Sequence, residues 1–237
     1  MKNVELSLRM QALADMVSKG RVVCDVGCDH GWVSIYLVQQ GIAPKVYAMD
    51  VRIGPLERAR EHICLYRLEA YIETRLSDGL TNLSEGEADC MICAGMGGPL
   101  MMKILTEGRQ KAKSMKELIL QPQSELTLFR KFLRGEGYRI VSEDMVLEEG
   151  KFYPMMKVVP VKEAEVVCED KDMQEVWDAY GELLLKQKHP VLKQYLVKTK
   201  EHVEGLLEHL KQQNTAEDRI LQLKEELKLL EKAMGYM

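Results

Sequence analysis

No apolar run in this chain reaches the roughly 18 residues that a membrane-crossing helix needs, and the opening Met1-Lys-Asn-Val-Glu5 has no apolar signal core. The expectation is a cytoplasmic protein with no membrane partner. Neither sign of charge dominates: 33 Lys plus Arg face 37 Asp plus Glu, a net charge of -4. A nucleic-acid partner would therefore have to be met by local basic runs, because attraction to phosphate is short-ranged at physiological salt. Cysteine is present but badly spaced for zinc. Of six cysteines, Cys90-Met-Ile-Cys93 forms a C-x-x-C pair, yet no second pair or suitably spaced histidine completes a tetrahedral set and the pair does not open a helix. Cys24, Cys90 and Cys93 lie in apolar, strand-like runs and read as buried thiols, so no metal is expected. The dinucleotide pattern G-x-G-x-x-G is missing from the place where a glycine turn does occur.

That turn lies in Val22-Val-Cys-Asp-Val-Gly-Cys-Asp-His-Gly31, where an apolar run ends in an acid followed by two glycines, and Trp32 to Val38 then carries apolar residues at helical spacing. The reading is strand, tight turn, helix N-terminus, a corner that turns backbone N–H groups toward a ligand. Asp25 is a carboxylate standing where a pyrophosphate would be approached, and it favours a cationic ligand. S-adenosylmethionine, with an ammonium and a sulfonium, fits such a loop through Asp25 and Gly27. An ordinary structural corner is the alternative.

Along the chain, Leu6 to Val17 reads as an amphipathic helix with Leu6, Met10, Leu13 and Val17 on one face, ended by Gly20. A second strand, Lys45 to Asp50, ends in a carboxylate 25 residues after Asp25, close to the roughly 20-residue interval at which a strand-terminal acid accepts from ribose hydroxyls. Gly54-Pro55 open a helix through Leu68, and Tyr71 to Leu76 alternates like a strand running into Ser77-Asp78-Gly79, where an adenine amine could find an acceptor. The fourth strand is expected over Ala88 to Cys93. It leads into a glycine-dense loop, Ala94-Gly-Met-Gly-Gly98, that opens a helix from Pro99 to Thr106. Flexible chain of that kind is usually kept where backbone approaches a ligand beyond the carboxyl ends of parallel strands. Leu118 to Pro122 is a fifth strand, Glu125 to Arg134 a helix, and Tyr138 to Val159 two strands joined at Glu148-Glu-Gly-Lys151. The fold class is α/β, a Rossmann-like and mostly parallel seven-stranded sheet with one antiparallel strand, over residues 1–160.

Residues 161–237 differ in composition. Glu163 to Asp178 is acidic with little apolar periodicity and reads as a linker running into the start of a helical tail. From Pro190, Leu192, Leu196, Thr199, Val203, Leu206 and Leu210 recur at spacings of 4, 3, 4, 3 and 4, and Ile220, Leu223, Leu227, Leu230 and Met234 at 3, 4, 3 and 4. With a cap at Thr215 and Asp218 three residues on, the tail reads as an α-helical antiparallel coiled-coil hairpin.

The set Asp25-x-Gly-x-Asp-His30, Val51-x-x-Gly-Pro55, Asp78-Gly-Leu80, Ala94-Gly-Met-Gly-Gly98 and Leu118-Ile-Leu-Gln-Pro122, in that order, resembles the bacterial tRNA (adenine-22-N1)-methyltransferase family. The resemblance implies a class I methyltransferase that uses S-adenosyl-L-methionine to methylate N1 of an adenine in the D-arm region of tRNA. Cofactor contacts would come from Asp25 and Gly27, from Asp50 and Val51, from Asp78 and Gly79, and from Ala94, Gly95 and Met96. N6-adenine enzymes end the fourth strand in Asn or Asp followed by Pro-Pro and an aromatic residue; Cys93-Ala-Gly-Met96 stands here instead.

N1 of a neutral adenine already carries an in-plane lone pair, so attack on a methyl carbon needs alignment more than a base. The product is cationic, and a carboxylate near the base edge would stabilise the developing charge. Asp29 is the candidate for that role; His30 either orients it, contacts the base or merely packs. For RNA, Lys103, Arg109, Lys111, Lys113 and Lys116 face the single acid Glu107, and Lys186, Lys188, Lys193, Lys198 and Lys200 fall in a run from Leu183 with no acid. A solvated face or a self-association seam would look the same. A methyltransferase for another RNA, a small molecule or a protein, and a catalytically silent adaptor using its helical arm, also remain open.

Overall fold

The computed structural model describes residues 3–161, 170–213 and 217–237. They fall into two compact units, Met1–Glu165 and Val166–Met237.

The first unit follows the alternation of the sequence. In order it comprises α1 (Leu8–Asp15), β1 (Val23–Val26), α2 (Trp32–Gln39), β2 (Val46–Asp50), α3 (Ile53–Leu65), β3 (Ile72–Leu76) and β4 (Cys90–Met96). Then come α4 (Gly98–Glu107), α5 (Arg109–Ser114), β5 (Glu117–Pro122), α6 (Leu126–Gly135), β6 (Tyr138–Glu148) and β7 (Lys151–Pro160). The strands form one sheet in the order β3-β2-β1-β4-β5-β7-β6. All neighbours from β3 to β5 are parallel, and β7 runs antiparallel between β5 and β6. Register brings the strand ends level: Val26 pairs with both Met49 and Cys93, and Asp50 with Leu76. The β6–β7 hairpin closes on Glu149 and Gly150, both at positive φ (+49° and +76°), the backbone of a two-residue hairpin turn.

Helices cover both faces, as a buried parallel sheet requires. On one face Cys24, Val26, Met91, Cys93 and Leu118 pack against Met101, Leu105, Phe129 and Leu133 of α4 and α6. On the other, Val23, Val46, Ala48, Ile92 and Ile119 pack against Leu13, Ile35, Leu37, Leu56 and Ile63 of α1 to α3. Alternate residues of one strand thus serve opposite cores. Two ionic contacts brace the antiparallel end. Arg130 of α6 lies 3.0 Å from Glu143 of β6, both side chains nearly inaccessible. Lys157 of β7 meets Glu117 of β5 at 3.0 Å and donates to the Ser18 hydroxyl and the Met16 carbonyl just after α1.

Several boundaries differ from expectation. The first helix begins only at Leu8, because Ser7 caps it by accepting from the Met10 N–H, and Leu6 lies outside. β4 does not stop at Cys93 but runs through Ala94-Gly95-Met96 with a register shift against β5, since β5 continues beside it and offers partners. α5 was not expected; its six residues are too short and polar to give a periodic signal.

In the second unit, α7 (Lys171–Tyr180) is capped by Asp170, whose side chain accepts from Met173 N, so residues 171–178 are helical and not linker. Val176 and Tyr180 are its buried residues of apolar type, too few to show as a period. α8 (Glu182–Lys186), α9 (Pro190–Gln213) and α10 (Glu217–Tyr236) follow. Lys200 of α9 lies 3.6 Å from Glu231 of α10, residues almost equidistant from the joint, so the two helices run antiparallel. Leu192, Leu196, Val203 and Leu207 are buried on α9 and Leu223, Leu230 and Ala233 on α10. Leu207 therefore takes the deep place expected for Leu206, as a straight helix of 3.6 residues per turn drifts ahead of a strict heptad. The Thr215 cap lies outside the described residues. No helix among the described residues is long and apolar enough to cross a membrane.

Candidate active site at the carboxyl ends of the parallel strands

The β1–α2 turn is pinned to β2: the N–H groups of Gly27 and Cys28 both donate to the Met49 carbonyl, at 2.8 and 2.9 Å. To reach α2 the chain passes through three left-handed residues, Gly27, Asp29 and Gly31, at φ +77°, +49° and +74°. Aspartate is among the few side chains that tolerate that region. A Cβ at Gly27 would also meet the Met96 Cε, the far end of a flexible side chain that can move away, so the backbone conformation is the main reason for glycine there.

Asp25 is 6% exposed and accepts from the Ser34 hydroxyl at 2.6 Å. Burial pushes its carboxyl up to about 6, the Ser34 bond works against this, and Asp50 adds to it. Asp50 is likewise buried, and one of its oxygens accepts from the Arg52 N–H at 2.9 Å. After β3 the chain turns on Ser77, whose N–H donates to the Asp50 carbonyl at 2.8 Å and whose hydroxyl donates to the Gly79 carbonyl. Asp78 stands exposed at that turn. On β4, the Gly95 N–H donates to the Gln121 side-chain oxygen at 3.1 Å. The close backbone approach expected of the second glycine loop is made to the protein itself at Gly98, where a Cβ would lie 2.4 Å from the Ser124 carbonyl oxygen.

These turns enclose a cavity of about 520 Å³, within the usual range for small-molecule sites. Its lining includes Asp25, Gly27, Asp29, His30, Asp50, Val51, Asp78, Gly79, Ala94, Gly95 and Met96, so the residues singled out in four separate stretches meet at one place. Asp29 and His30 stand 3.6 Å apart at its rim, with side chains 59% and 36% exposed. His62 of α3 donates through Nδ1 to the His30 carbonyl at 2.9 Å and stacks on Trp32, ring centroids 3.9 Å apart, which fixes the backbone on which Asp29 sits. The lining also includes Arg9, Met10, Trp32, Leu100, Ile104 and Gln123, none of which the sequence reading singled out for the site. Arg9 follows a helix cap at the start of the chain, and only tertiary packing brings it to β4 and β5. The Gly-x-Gly-Gly pattern that marked residues 95–98 carries no information about Gln123, which joins through its N–H bond to the Met96 carbonyl at 2.9 Å.

A family described as a methyltransferase domain matches residues 6–156. The tRNA (adenine(22)-N(1))-methyltransferase of Bacillus subtilis (strain 168) is 30% identical over 233 residues, 95% of this chain and 94% of that protein. The chain belongs to the tRNA (adenine(22)-N(1))-methyltransferase family. The crystal structure of a Bacillus subtilis tRNA methyltransferase superposes with a TM-score of 0.86 at 27% identity, covering 98% of this chain and 100% of that one. A Streptococcus pneumoniae protein crystallised with S-adenosyl-L-methionine gives 0.85 at 29%, covering 97% and 100%.

In this member of the tRNA (adenine(22)-N(1))-methyltransferase family the two basic runs fare differently. Every cation of the first has an internal partner. Lys103 lies 3.8 Å from Glu107, Arg109 3.3 Å from Glu136 and Lys116 2.8 Å from Asp89. Lys111 donates to the Leu80 and Thr81 carbonyls at 2.9 and 2.8 Å. Lys113 donates to the Gly137 carbonyl and lies 3.6 Å from the Tyr138 ring centroid, with desolvation holding its ammonium below the usual lysine range. Lys111 and Lys113 thus act as fasteners on carbonyls of other segments, whereas Lys103, Arg109 and Lys116 are exposed and each lies beside one acid. On α9, Lys193 and Lys198 are exposed, while Lys200 pairs with Glu204 at 3.7 Å as well as with Glu231.

Proposed function

We propose that this chain transfers a methyl group from S-adenosyl-L-methionine to N1 of adenine 22 in tRNA. The carrying observation is the convergence of Asp25, Asp50 and Asp78, from the ends of three adjacent strands, on one cavity with Asp29 at its rim. The donor set suits the cofactor. Buried Asp50 keeps oxygen lone pairs for ribose hydroxyls, Asp25 and its turn suit a cationic amino-acid end, and Asp78 offers an acceptor for the adenine amine. Val51, Gly79, Ala94, Gly95 and Met96 complete that wall. When bound, the cofactor supplies a methyl group on a sulfonium.

The residues of the chain align and stabilise. N1 needs no deprotonation, so the site requires no strong base. Asp29, rigidly presented by its left-handed turn, faces the positive charge that grows on the base, and His30 stands beside it as an orienting group or base contact. The target adenine has to leave its stack to enter, and exposed Lys193 and Lys198, with Lys200, would hold tRNA phosphates on the helical arm that carries α9. Of the first basic run, Lys103 and Arg109 keep exposed side chains for the same purpose, whereas Lys111 and Lys113 are occupied inside the fold. A cytoplasmic location goes with such a substrate.

Incubating the protein with labelled cofactor and unmodified tRNA, then mapping the methylated nucleoside, tests the proposal. Label should appear as 1-methyladenosine at position 22 and vanish from a transcript carrying guanine there. Label at any other nucleotide, or none with cofactor demonstrably bound, overturns it.

A further inference from the structure

Beside the cavity lies a second hollow of about 450 Å³, lined by the chain just before α1 and by Met10, Trp32 and Tyr66. Met10 and Trp32 line both spaces, so the wall between them is one side chain thick. The flat surfaces come from α2 and the end of α3. The Trp32 ring lies on His62 with 3.9 Å between centroids and 21° between planes, and Tyr66 meets Trp32 edge-on at 6.4 Å and 85°. His62 and Tyr66, four residues apart, share a helix face. The polar part comes from the N-terminal segment. Val4 is buried and its N–H donates to the Gln39 side chain at 2.9 Å, while Asn3, Glu5 and Ser7 alternate with it on the exposed side. No Lys or Arg is among the described lining residues, and Glu5 is, so the hollow does not suit phosphate. Aromatic rings, a thioether and a few neutral hydrogen-bonding groups suit an uncharged planar heterocycle.

We propose that this hollow takes the base of the tRNA nucleotide next to the methylated adenine on the strand, stacked against Trp32 and Tyr66. This rests on the reading of the chain as an enzyme acting on adenine 22 of tRNA. The methylated adenine itself belongs in the first cavity, with Asp29, His30 and the strand-end acids, none of which lines the second. Across a wall one side chain thick, the part of the substrate within reach is the adjoining nucleotide. Drawing an adenine out of its stack also deprives that neighbour of a stacking partner. An aromatic hollow beside the mouth returns one, in a contact that tolerates any base because every base has a π-face. It holds the strand open and takes no part in the methyl transfer.

Binding titrations on the full chain with S-adenosylhomocysteine present test it, using an unmodified tRNA transcript and two others that lack the base on the 5′ or the 3′ side of the target adenine. Loss of one of those bases should weaken binding to the native protein about five- to a hundredfold. In Tyr66→Leu the intact transcript should bind more weakly and the penalty for that missing base should shrink about threefold or more, since a penalty arising in the RNA alone is the same for both proteins. Tyr66→Phe, which keeps the ring, should keep the penalty. Turnover at saturating tRNA should stay within about twofold of native in both variants. A native penalty below about threefold for both altered transcripts overturns the inference without recourse to any variant. So does an equal penalty in the native and Tyr66→Leu proteins, which would make Tyr66 a packing residue, and so does a fall in turnover with unchanged tRNA affinity, which would give the hollow to the target adenine. Failure of the native protein to bind the intact transcript would instead strike the tRNA reading, and this inference with it.

Discussion

Replacing Asp25 by asparagine should stabilise the ligand-free protein at neutral pH and leave it nearly unchanged in acid. The carboxyl is 6% exposed and is pushed from its ordinary 3.8 to about 6, chiefly by burial. A folded-state value above the unfolded one means that the folded chain holds the proton more tightly. Below pH 4 the group is largely protonated in both states and costs little; between about 4 and 6 the unfolded chain ionises first; above 6 the folded state carries the full cost of a buried anion. A shift of about two units corresponds to about 3 kcal/mol. Asparagine keeps an oxygen to accept from Ser34 and removes the charge, so its advantage should be about 3 kcal/mol at pH 7 to 8 and largely gone at pH 4. An unsatisfied amide would shift all values equally, which leaves the difference between the pH extremes, about 2 to 3 kcal/mol, as the diagnostic quantity. Urea unfolding of both proteins without cofactor, at four pH values, measures it. A pH-independent gain, or an advantage that grows toward acid, would refute the argument. The same variant should bind S-adenosyl-L-methionine more weakly, a case of stability given up for function.

Asp50→Ala should weaken cofactor binding about tenfold or more with the fold intact, since it deletes a buried acceptor at a strand end; unaltered affinity by calorimetry would remove Asp50 from the site. Asp29→Asn, which suits the left-handed backbone, should lower kcat far more than it weakens either substrate, because a group that opposes charge in the transition state acts on that step; a loss confined to cofactor affinity would make Asp29 a binding residue. Gly27→Ala should cost roughly 1 to 2 kcal/mol from its φ of +77°, seen as a lower urea midpoint, while the Met96 methyl, the end of a flexible side chain, swings aside; no loss would show that the turn relaxes. Lys193→Gln with Lys198→Gln should weaken tRNA binding and cut the slope of log affinity against log salt by up to about two, and an unchanged slope would mean that α9 does not grip phosphate.

The sheet and much of the cavity could be read in the sequence because strand-end acids, glycine turns and apolar runs are local patterns. Asp25, Asp50 and Asp78 each fall at or near the end of a run of strand character, and parallel pairing then brings them to the same end of the sheet. What could not be read depends on packing between distant segments. β4 continues through Ala94 to Met96 only because β5 lies beside it, and Arg9 reaches the site across a gap of 112 residues to Gln121. The basic run from Lys103 to Lys116 looks uniformly solvent-directed on paper, yet Lys111 and Lys113 are taken up by carbonyls of other segments while Lys103, Arg109 and Lys116 stay exposed beside an acid. α7 escaped notice because an acidic stretch gives no periodic signal until its few apolar residues find a surface to cover.

The level register of the strand ends has a bearing on synthesis. Since β4 inserts beside β1 only after β2 and β3 have left the ribosome, and β5 must follow to supply Gln121 and, just past its end, Gln123, no nascent chain that stops before residue 123 has the whole pocket. Long-range parallel pairing of this kind forms slowly. The antiparallel hairpin adds a further delay, because β7, made last, has to slot between β5 and the already synthesised β6. Binding competence should therefore arrive late and all at once, and a ligand can assist only the final closure of the sheet, by mass action on the finished fold.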